Sequence, residues 1–184
     1  MKPITLIDST HLDLIVNRLC YQLIENHNDF SESVILGLQP RGVYFAELIT
    51  RRLNEILGEN QVSFGKLDIT FHRDDFRRRE DPIEASSTQM DFLIENKNVI
   101  LVDDVLYTGR TIRAGLDAML SFGRPKQVEL MVLIDRRFSR QLPVQPNYVG
   151  KAVDSYDDQK VKVIIGEKGK KDKVLLLQSE EENE

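Results

Sequence analysis

The chain lacks the raw material of several common chemistries. Cys20 is its only cysteine, so no internal disulfide can form. A single cysteine on an expected helix reads as a small buried thiol rather than a nucleophile. No apolar run reaches the length of a membrane span. The first residues carry no apolar secretory segment, so a cytoplasmic protein without membrane attachment is expected. Neither Gly-x4-Gly-Lys nor Gly-x-Gly-x-x-Gly occurs, which sets aside the P-loop and the dinucleotide fingerprint. No Ser/His/Asp or Cys/His arrangement stands out. His11 and His27, at the two ends of an expected helix, have no metal-ligand partners nearby and are expected at the surface. The net charge of −5 is also uninformative: Glu180, Glu181, Glu182 and Glu184 supply four negatives, leaving the body near −1. Bulk charge therefore does not advertise nucleic-acid binding, although a local basic face stays open.

What is present suffices for one full core. The 184 residues are 41% hydrophobic and 30% charged, with no internal repeat and no linker between halves. A single domain over 1–178 followed by an acidic tail at 179–184 is expected. Ser9 is placed to cap a helix bearing Leu12, Ile15, Val16, Leu19 and Leu23 at helical spacing. A strand over Val34 to Leu38 leads through Gln39-Pro40-Arg41-Gly42 into a helix with Ala46, Ile49, Leu53 and Ile56, stopped at Gly58. Val62 to Phe71 suggests a long, imperfectly alternating strand. From Arg73 to Gln89 the chain is polar and too long for a tight connection, as lids and disordered segments are. Apolar strands follow at Val99 to Val102 and Val128 to Ile134, with shorter ones at Tyr148 to Gly150, Val161 to Ile165 and Val174 to Leu177. Helices alternating with apolar strands give an α/β fold with a mostly parallel sheet. Its core is expected over Ser33 to Ile134, with later residues forming a small cap.

The most informative stretch is Val99 to Thr111. An uninterrupted apolar strand, as in a sheet covered on both faces, runs into Asp103-Asp104. A Tyr107-Thr108-Gly109-Arg110-Thr111 turn then opens a helix with Ile112, Leu116, Met119 and Leu120 on one face. Ligands of open α/β sheets collect where strands end and helices begin. A helix N-terminus there offers free N–H donors to an anion. Gly109 permits close approach, and Thr108 and Thr111 add hydroxyls. The acids would repel a phosphate at contact distance but suit ribose hydroxyls, or magnesium shared with pyrophosphate. A solvated strand end with an ordinary helix start is the plainer reading. The acid pair, the apolar run and the second threonine together favour a site. Gln39-Pro40-Arg41-Gly42 stands at an equivalent strand-to-helix junction. It is either a simple turn or a second anion site gripped by Arg41 and nearby N–H groups.

These residues resemble the type I phosphoribosyltransferases. The strand, acid pair and Thr-Gly-x-Thr are similar to that family's motif for phosphoribosyl pyrophosphate (PRPP). The resemblance implies that fold, with a C-terminal hood. It implies that Asp103 and Asp104 hold the ribose hydroxyls and that Leu106, Tyr107, Thr108, Gly109, Arg110 and Thr111 cradle the 5′-phosphate. Pro40, Arg41, Gly42 and Arg73 would contact pyrophosphate. Phe71-His72-Arg73-Asp74-Asp75 looks like the start of the catalytic flap. His72 is either a proton carrier or, as a lone strand-end histidine, structural. Magnesium would arrive with PRPP without a fixed protein ligand, and no side chain is assigned as acid or base. Purine relatives carry an Asp where Tyr107 stands, which tilts the base toward a pyrimidine. Arg113-Ala114-Gly115, Asp68-Ile69-Thr70, Gly123-Arg124-Pro125 and Tyr148-Val149-Gly150-Lys151 extend the likeness. They match the bifunctional pyrimidine-operon regulators with uracil phosphoribosyltransferase activity. That subfamily implies uracil, PRPP and UMP or UTP as ligands, a homodimer or homotetramer, and attenuation through pyrimidine-operon mRNA. The alternative is a weakly active or inactive UMP sensor that binds RNA. Relatives read Asp-Arg-Gly-His-Arg-Glu-Leu-Pro where this chain has Asp135-Arg136-Arg137-Phe138-Ser139-Arg140-Gln141-Leu142-Pro143. Arg18, Arg136, Arg137, Arg140 and Lys151 form either an RNA-phosphate patch or a solvated basic surface.

Overall fold

The computed structural model describes residues 3–58, 62–73, 87–156, 159–166 and 171–178. Five parallel strands form the central sheet in the order β3-β2-β4-β5-β6. They are β2 (Ser33–Leu38), β3 (Ser63–Leu67), β4 (Asn98–Leu106), β5 (Gln127–Arg137) and β6 (Tyr148–Asp154). Side chains alternate along each strand. Val34, Leu36, Val99 and Leu101 pack on α3 (Arg110–Met119) with Ile112 and Met119. Ile35, Ile100, Val102 and Met131 pack on α1 (Ser9–His27) and α2 (Gly42–Leu57). Both sheet faces are covered, which explains the continuous apolar runs of β2 and β4. No helix among the described residues is long and apolar enough to cross a membrane.

The sheet continues past Ile134, because β6 pairs in parallel with β5 from Met131 to Arg137. The cap is also not purely C-terminal. It is a three-stranded antiparallel sheet in the order β1-β8-β7, built from β1 (Ile4–Ile7), β7 (Gln159–Ile164) and β8 (Lys173–Gln178). Ile4 pairs with Leu176, so the two ends of the fold close on each other.

Several boundaries move for local reasons. Helix α1 is capped by Asp8, not Ser9: the Asp8 carboxylate accepts the His11 N–H at 2.9 Å. Strand β3 stops at Leu67 rather than near Phe71. Asp68 accepts from the Thr70 N–H at 3.0 Å and the Thr70 hydroxyl at 2.6 Å, turning the chain into a short 3-10 turn over Thr70–His72. Strand β4 runs through the acids to Leu106, since β5 still pairs beside it at Asp103 and Leu106. Helix α2 ends at Gly58 as expected, with φ 82° there. Cys20 is fully buried, and burial pushes its thiol up to about 12. His27 corrects a surface expectation: only 4% of its side chain is exposed, and it bonds to Ser33 and Glu129. Most of the polar stretch after Arg73, and the acidic tail, lie outside the described residues.

Candidate active site

Three chain segments converge at the carboxyl end of the parallel sheet. The turn from Gln39 to Gly42 follows β2, the Tyr107–Thr111 loop follows β4, and Arg73 follows the turn after β3. A cleft of about 330 Å³ is lined by Tyr107, Thr108, Gly109, Arg110 and Thr111, with Asp103 and Arg73. An adjoining space of about 710 Å³ shares Arg73, Asp103, Tyr107 and Thr111 with it. That space extends past Asp104 to Pro40 and Arg41 on one side and to Arg136 and Gln159–Val161 on the other. Every residue expected to hold pentose, 5′-phosphate or pyrophosphate therefore borders this cleft, except Gly42, which is packed behind it. Leu106 is buried at the end of β4. Gly42 abuts β4 so closely that a Cβ there would stand 2.5 Å from the Val102 carbonyl oxygen and 2.9 Å from Asp103 Cα. Only glycine lets α2 start against the acids.

Asp103 and Asp104 are strand residues rather than a frayed end, and they are 5% and 7% exposed. As neighbours on a pleated strand they point to opposite sides of the sheet edge. Asp103 borders the loop cavity, whereas Asp104 also borders a space under the hood with Tyr44 and Lys162. Burial, and then the charge of Asp104, holds the Asp103 carboxyl well above the usual carboxylate range. Burial likewise raises Asp104, opposed chiefly by Arg41. Asp103 accepts the Asp104 N–H at 2.9 Å. Neither carboxylate forms a salt bridge with a described residue. Both acids border the cleft, so a ligand there can donate to them.

The helix N-termini tell the same story. Asp8 caps α1, but Arg41 and Gly109, the residues at the cap positions of α2 and α3, make no side-chain cap bond, and the Thr108 hydroxyl reaches the Arg110 N–H, at 3.4 Å. Both ends face the cleft and leave N–H groups available to anions. Gly109 precedes α3 with φ 91°, a conformation that suits glycine. The following segment braces this loop: the Gln141 N–H donates to the Thr108 carbonyl at 3.0 Å, and Arg110 donates to the Gln141 side chain at 2.9 Å.

The four arginines and one lysine expected at an RNA face do not share one surface. Arg136 is 6% exposed and lies inside the cleft, its guanidinium 4.0 Å from the centre of the Tyr107 ring. Arg140 is tied back to the Tyr107 carbonyl and Asp135. Arg18, Lys151 and Arg137 are strung along the edge strand β6. Arg18 donates to the Val149 and Gly150 carbonyls, and Lys151 donates to the Leu6 carbonyl. Arg137 pairs with Asp154 at 2.6 Å. Sequence reasoning missed Arg136 and the Gln159–Val161 wall as cleft residues. A basic residue just past an apolar strand reads as solvated until its partners at Ser155 to Gln159 are known. His72 lends its carbonyl to Arg113 at 3.2 Å.

The comparisons with known proteins agree with this geometry. Residues 7–165 match the model of the phosphoribosyl transferase domain. The chain belongs to the phosphoribosyltransferase family. Within it, the chain is similar to the proteins named Bifunctional protein PyrR. It is 44% identical over 176 residues to that of Alkaliphilus metalliredigens, covering 95% of each chain. It is 38% identical over 175 residues to that of Enterococcus faecalis, covering 95% of this chain and 97% of the relative. The membership expected from the motifs is thus borne out. Solved phosphoribosyltransferases share the fold. A hypoxanthine-guanine phosphoribosyltransferase of Bacillus anthracis superposes with a TM-score of 0.66 at 20% identity, over 95% of this chain and 98% of its own. The hypoxanthine enzyme of Trypanosoma cruzi gives 0.67 at 15%, over 96% and 97%.

Proposed function

We propose that this phosphoribosyltransferase joins uracil to PRPP, giving UMP and pyrophosphate, and that the same nucleotide site regulates pyrimidine genes through mRNA. The observation that carries the catalytic part is the buried pair Asp103 and Asp104, without a salt bridge to a described residue and bordering the cleft between the first turns of α2 and α3. A pentose bearing a phosphate at one end and a pyrophosphate at the other matches that order of donors and acceptors.

In this reading Asp103 and Asp104 accept from the ribose hydroxyls. Thr108 to Thr111 and the α3 N-terminus hold the 5′-phosphate. Pro40, Arg41, Gly42 and Arg73 take the pyrophosphate. A uracil ring nitrogen forms its bond to the anomeric carbon as the bond to the pyrophosphate oxygen breaks, and the ring N–H proton passes to solvent. The developing charge is oxocarbenium-like on the sugar and anionic on the leaving group. The chain's contribution is orientation, cationic cover from Arg41 and Arg73, and removal of water. Magnesium fits the donor set, because two carboxylates suit a hard cation that shares substrate oxygens. Among the described residues no cluster of three or more His, Cys, Asp or Glu exists, so the ion would travel with PRPP. Bound there, it would neutralise charge on the leaving pyrophosphate.

The regulatory part rests on the likeness to the PyrR proteins and on Arg18, Lys151 and Arg137 along one edge strand. The working form would be a cytoplasmic homodimer or homotetramer of a single domain over 1–178, responsive to UMP or UTP. Steady-state assays with uracil and with guanine, beside a gel shift with pyrimidine leader RNA at stated salt, test both parts. Turnover with uracil and UMP-enhanced RNA binding are expected. Faster turnover with guanine would overturn the pyrimidine assignment. RNA binding without turnover would leave a sensor alone.

A further inference from the structure

We infer that Arg136 sets base specificity: its Nη1 donates to an exocyclic carbonyl oxygen of the incoming base. This deepens the proposed transfer to a pyrimidine and rests on it.

The argument begins with how the cleft divides. Asp103 and Asp104 occupy its middle, the Tyr107–Thr111 loop one end, and Pro40, Arg41 and Arg73 another. Sugar and phosphates account for those groups. The wall left over consists of Arg136, Gln159, Lys160 and Val161, with Tyr107 at the corner. This is where the base must lie.

Arg136 is held there with little freedom. Its Nε donates to the Ser155 hydroxyl at 2.7 Å. Its Nη2 donates to the Tyr156 carbonyl at 3.2 Å and the Gln159 carbonyl at 2.9 Å. One face of the guanidinium lies over the Tyr107 ring. These contacts tie the phosphate loop to the connection between β6 and β7, and they fix the plane of the fork. Nη1 is the remainder: among the described residues it has no hydrogen-bond partner, yet it is not among the sealed, unsatisfied atoms. A largely buried cation with one donor edge open to a cleft is poised for an acceptor. A guanidinium only donates. It therefore favours an exocyclic oxygen and disfavours an amino group at the same place; if that oxygen is O4, uracil is accepted and cytosine, which carries an amino group there, is refused. Lys160 also borders the wall but is exposed. A flexible ammonium lacks the fixed direction of the Arg136 fork.

Calorimetry tests this with four ligands on the full chain: UMP, its 2-thio and 4-thio analogues, and ribose 5-phosphate. A thiocarbonyl is a poor acceptor, so one thio analogue should bind the unaltered protein roughly 10- to 100-fold more weakly than UMP, as expected for a lost charged hydrogen bond. Arg136→Met should weaken UMP by a similar factor, leave ribose 5-phosphate unchanged and erase the difference between UMP and that analogue. Arg136→Lys keeps the charge without the fork and should recover little. If both thio analogues bind as UMP does, the inference fails, whether or not the variants fold. It fails also if Arg136→Met weakens UMP and ribose 5-phosphate equally, since Arg136 would then only brace Tyr107. If the unaltered protein binds neither UMP nor ribose 5-phosphate, the proposed function falls and takes this inference with it.

Discussion

The two ends of the parallel sheet each bury a group of polar side chains, and they treat them oppositely. At the amino end, His27 Nε2 lies 3.0 Å from Glu129 Oε2, and the Tyr148 hydroxyl donates to the same oxygen at 2.7 Å. Gln127 donates to the other Glu129 oxygen, Asn26 donates to the Tyr148 hydroxyl, and His27 Nδ1 meets Ser33 Oγ. Each group finds a partner within the cluster, and burial with the Glu129 bond pushes the Tyr148 phenol up to about 12. At the carboxyl end, Asp103 and Asp104 are buried too, but their hydrogen bonds are to the adjacent Asp104 and Val105 N–H groups, and their open side borders the cleft. A polar cluster that satisfies itself holds the fold together. One that does not is waiting for a ligand.

The largest expected effect breaks the open cluster. Asp104→Ala should lower UMP and PRPP affinity by about ten- to a hundredfold, because hydrogen bonds to charged acceptors are worth about 1.5–3 kcal/mol each. Calorimetry reads the loss, and unchanged affinity would remove the ribose role. Asp103→Asn should lose binding while gaining about 1 kcal/mol of stability, as relief of a strained functional site does. The sign of the pH dependence follows. The folded Asp103 carboxyl titrates above its unfolded value of 3.8, so the folded state holds the extra proton. The cost of ionising it is absent below the unfolded value and complete above the raised one. The melting temperature of the unliganded protein should therefore rise as pH falls through the raised value toward 3.8, and Asp103→Asn should flatten that slope. UMP affinity should fall over the same range, since hydroxyls bind the ionised pair.

The carboxyl end was legible in the sequence because it is written locally. The acids, the Thr-Gly-Arg-Thr turn and the opening of α3 lie within a dozen consecutive residues, and each type has one evident use there. The amino-end cluster was not legible. His27 meets Glu129 and Tyr148 more than a hundred residues away, and in isolation it reads as the polar end of a helix. The same separation hid β1, which is a strand only because β8 returns beside it. Arg136 was seen but misplaced, because its partners lie on the connection after β6. Even for the acids the sequence places only the end of a strand, since the continued pairing with β5 that buries them is a tertiary fact.

A smaller loss is expected from the closed cluster. Glu129→Ala removes the acceptor shared by His27, Tyr148 and Gln127, leaving buried donors unpaired. Stability should drop by about 2–3 kcal/mol, read as a lower denaturant midpoint, with UMP affinity retained. If affinity falls in step with stability, the two ends are coupled through β5 and the division drawn between them is too sharp.

The last test asks how tightly the carboxyl end is built. In Gly42→Ala the new methyl would meet the Val102 carbonyl oxygen at 2.5 Å. That atom is strand backbone and cannot swing aside, so α2 must retreat from β4. Overpacking of this kind costs about 1–3 kcal/mol. The shift should appear at both anion loops' shared border: Arg41 immediately precedes Gly42, and Asp103 is the residue the methyl would crowd. PRPP affinity should therefore fall by more than ribose 5-phosphate affinity, because in the proposed reading only PRPP uses the Pro40–Gly42 turn. An equal loss for both ligands would mean that crowding acts through Asp103 alone. A loss of stability without loss of either affinity would mean that the close approach of α2 to β4 serves packing, as the cluster at the other end of the sheet does.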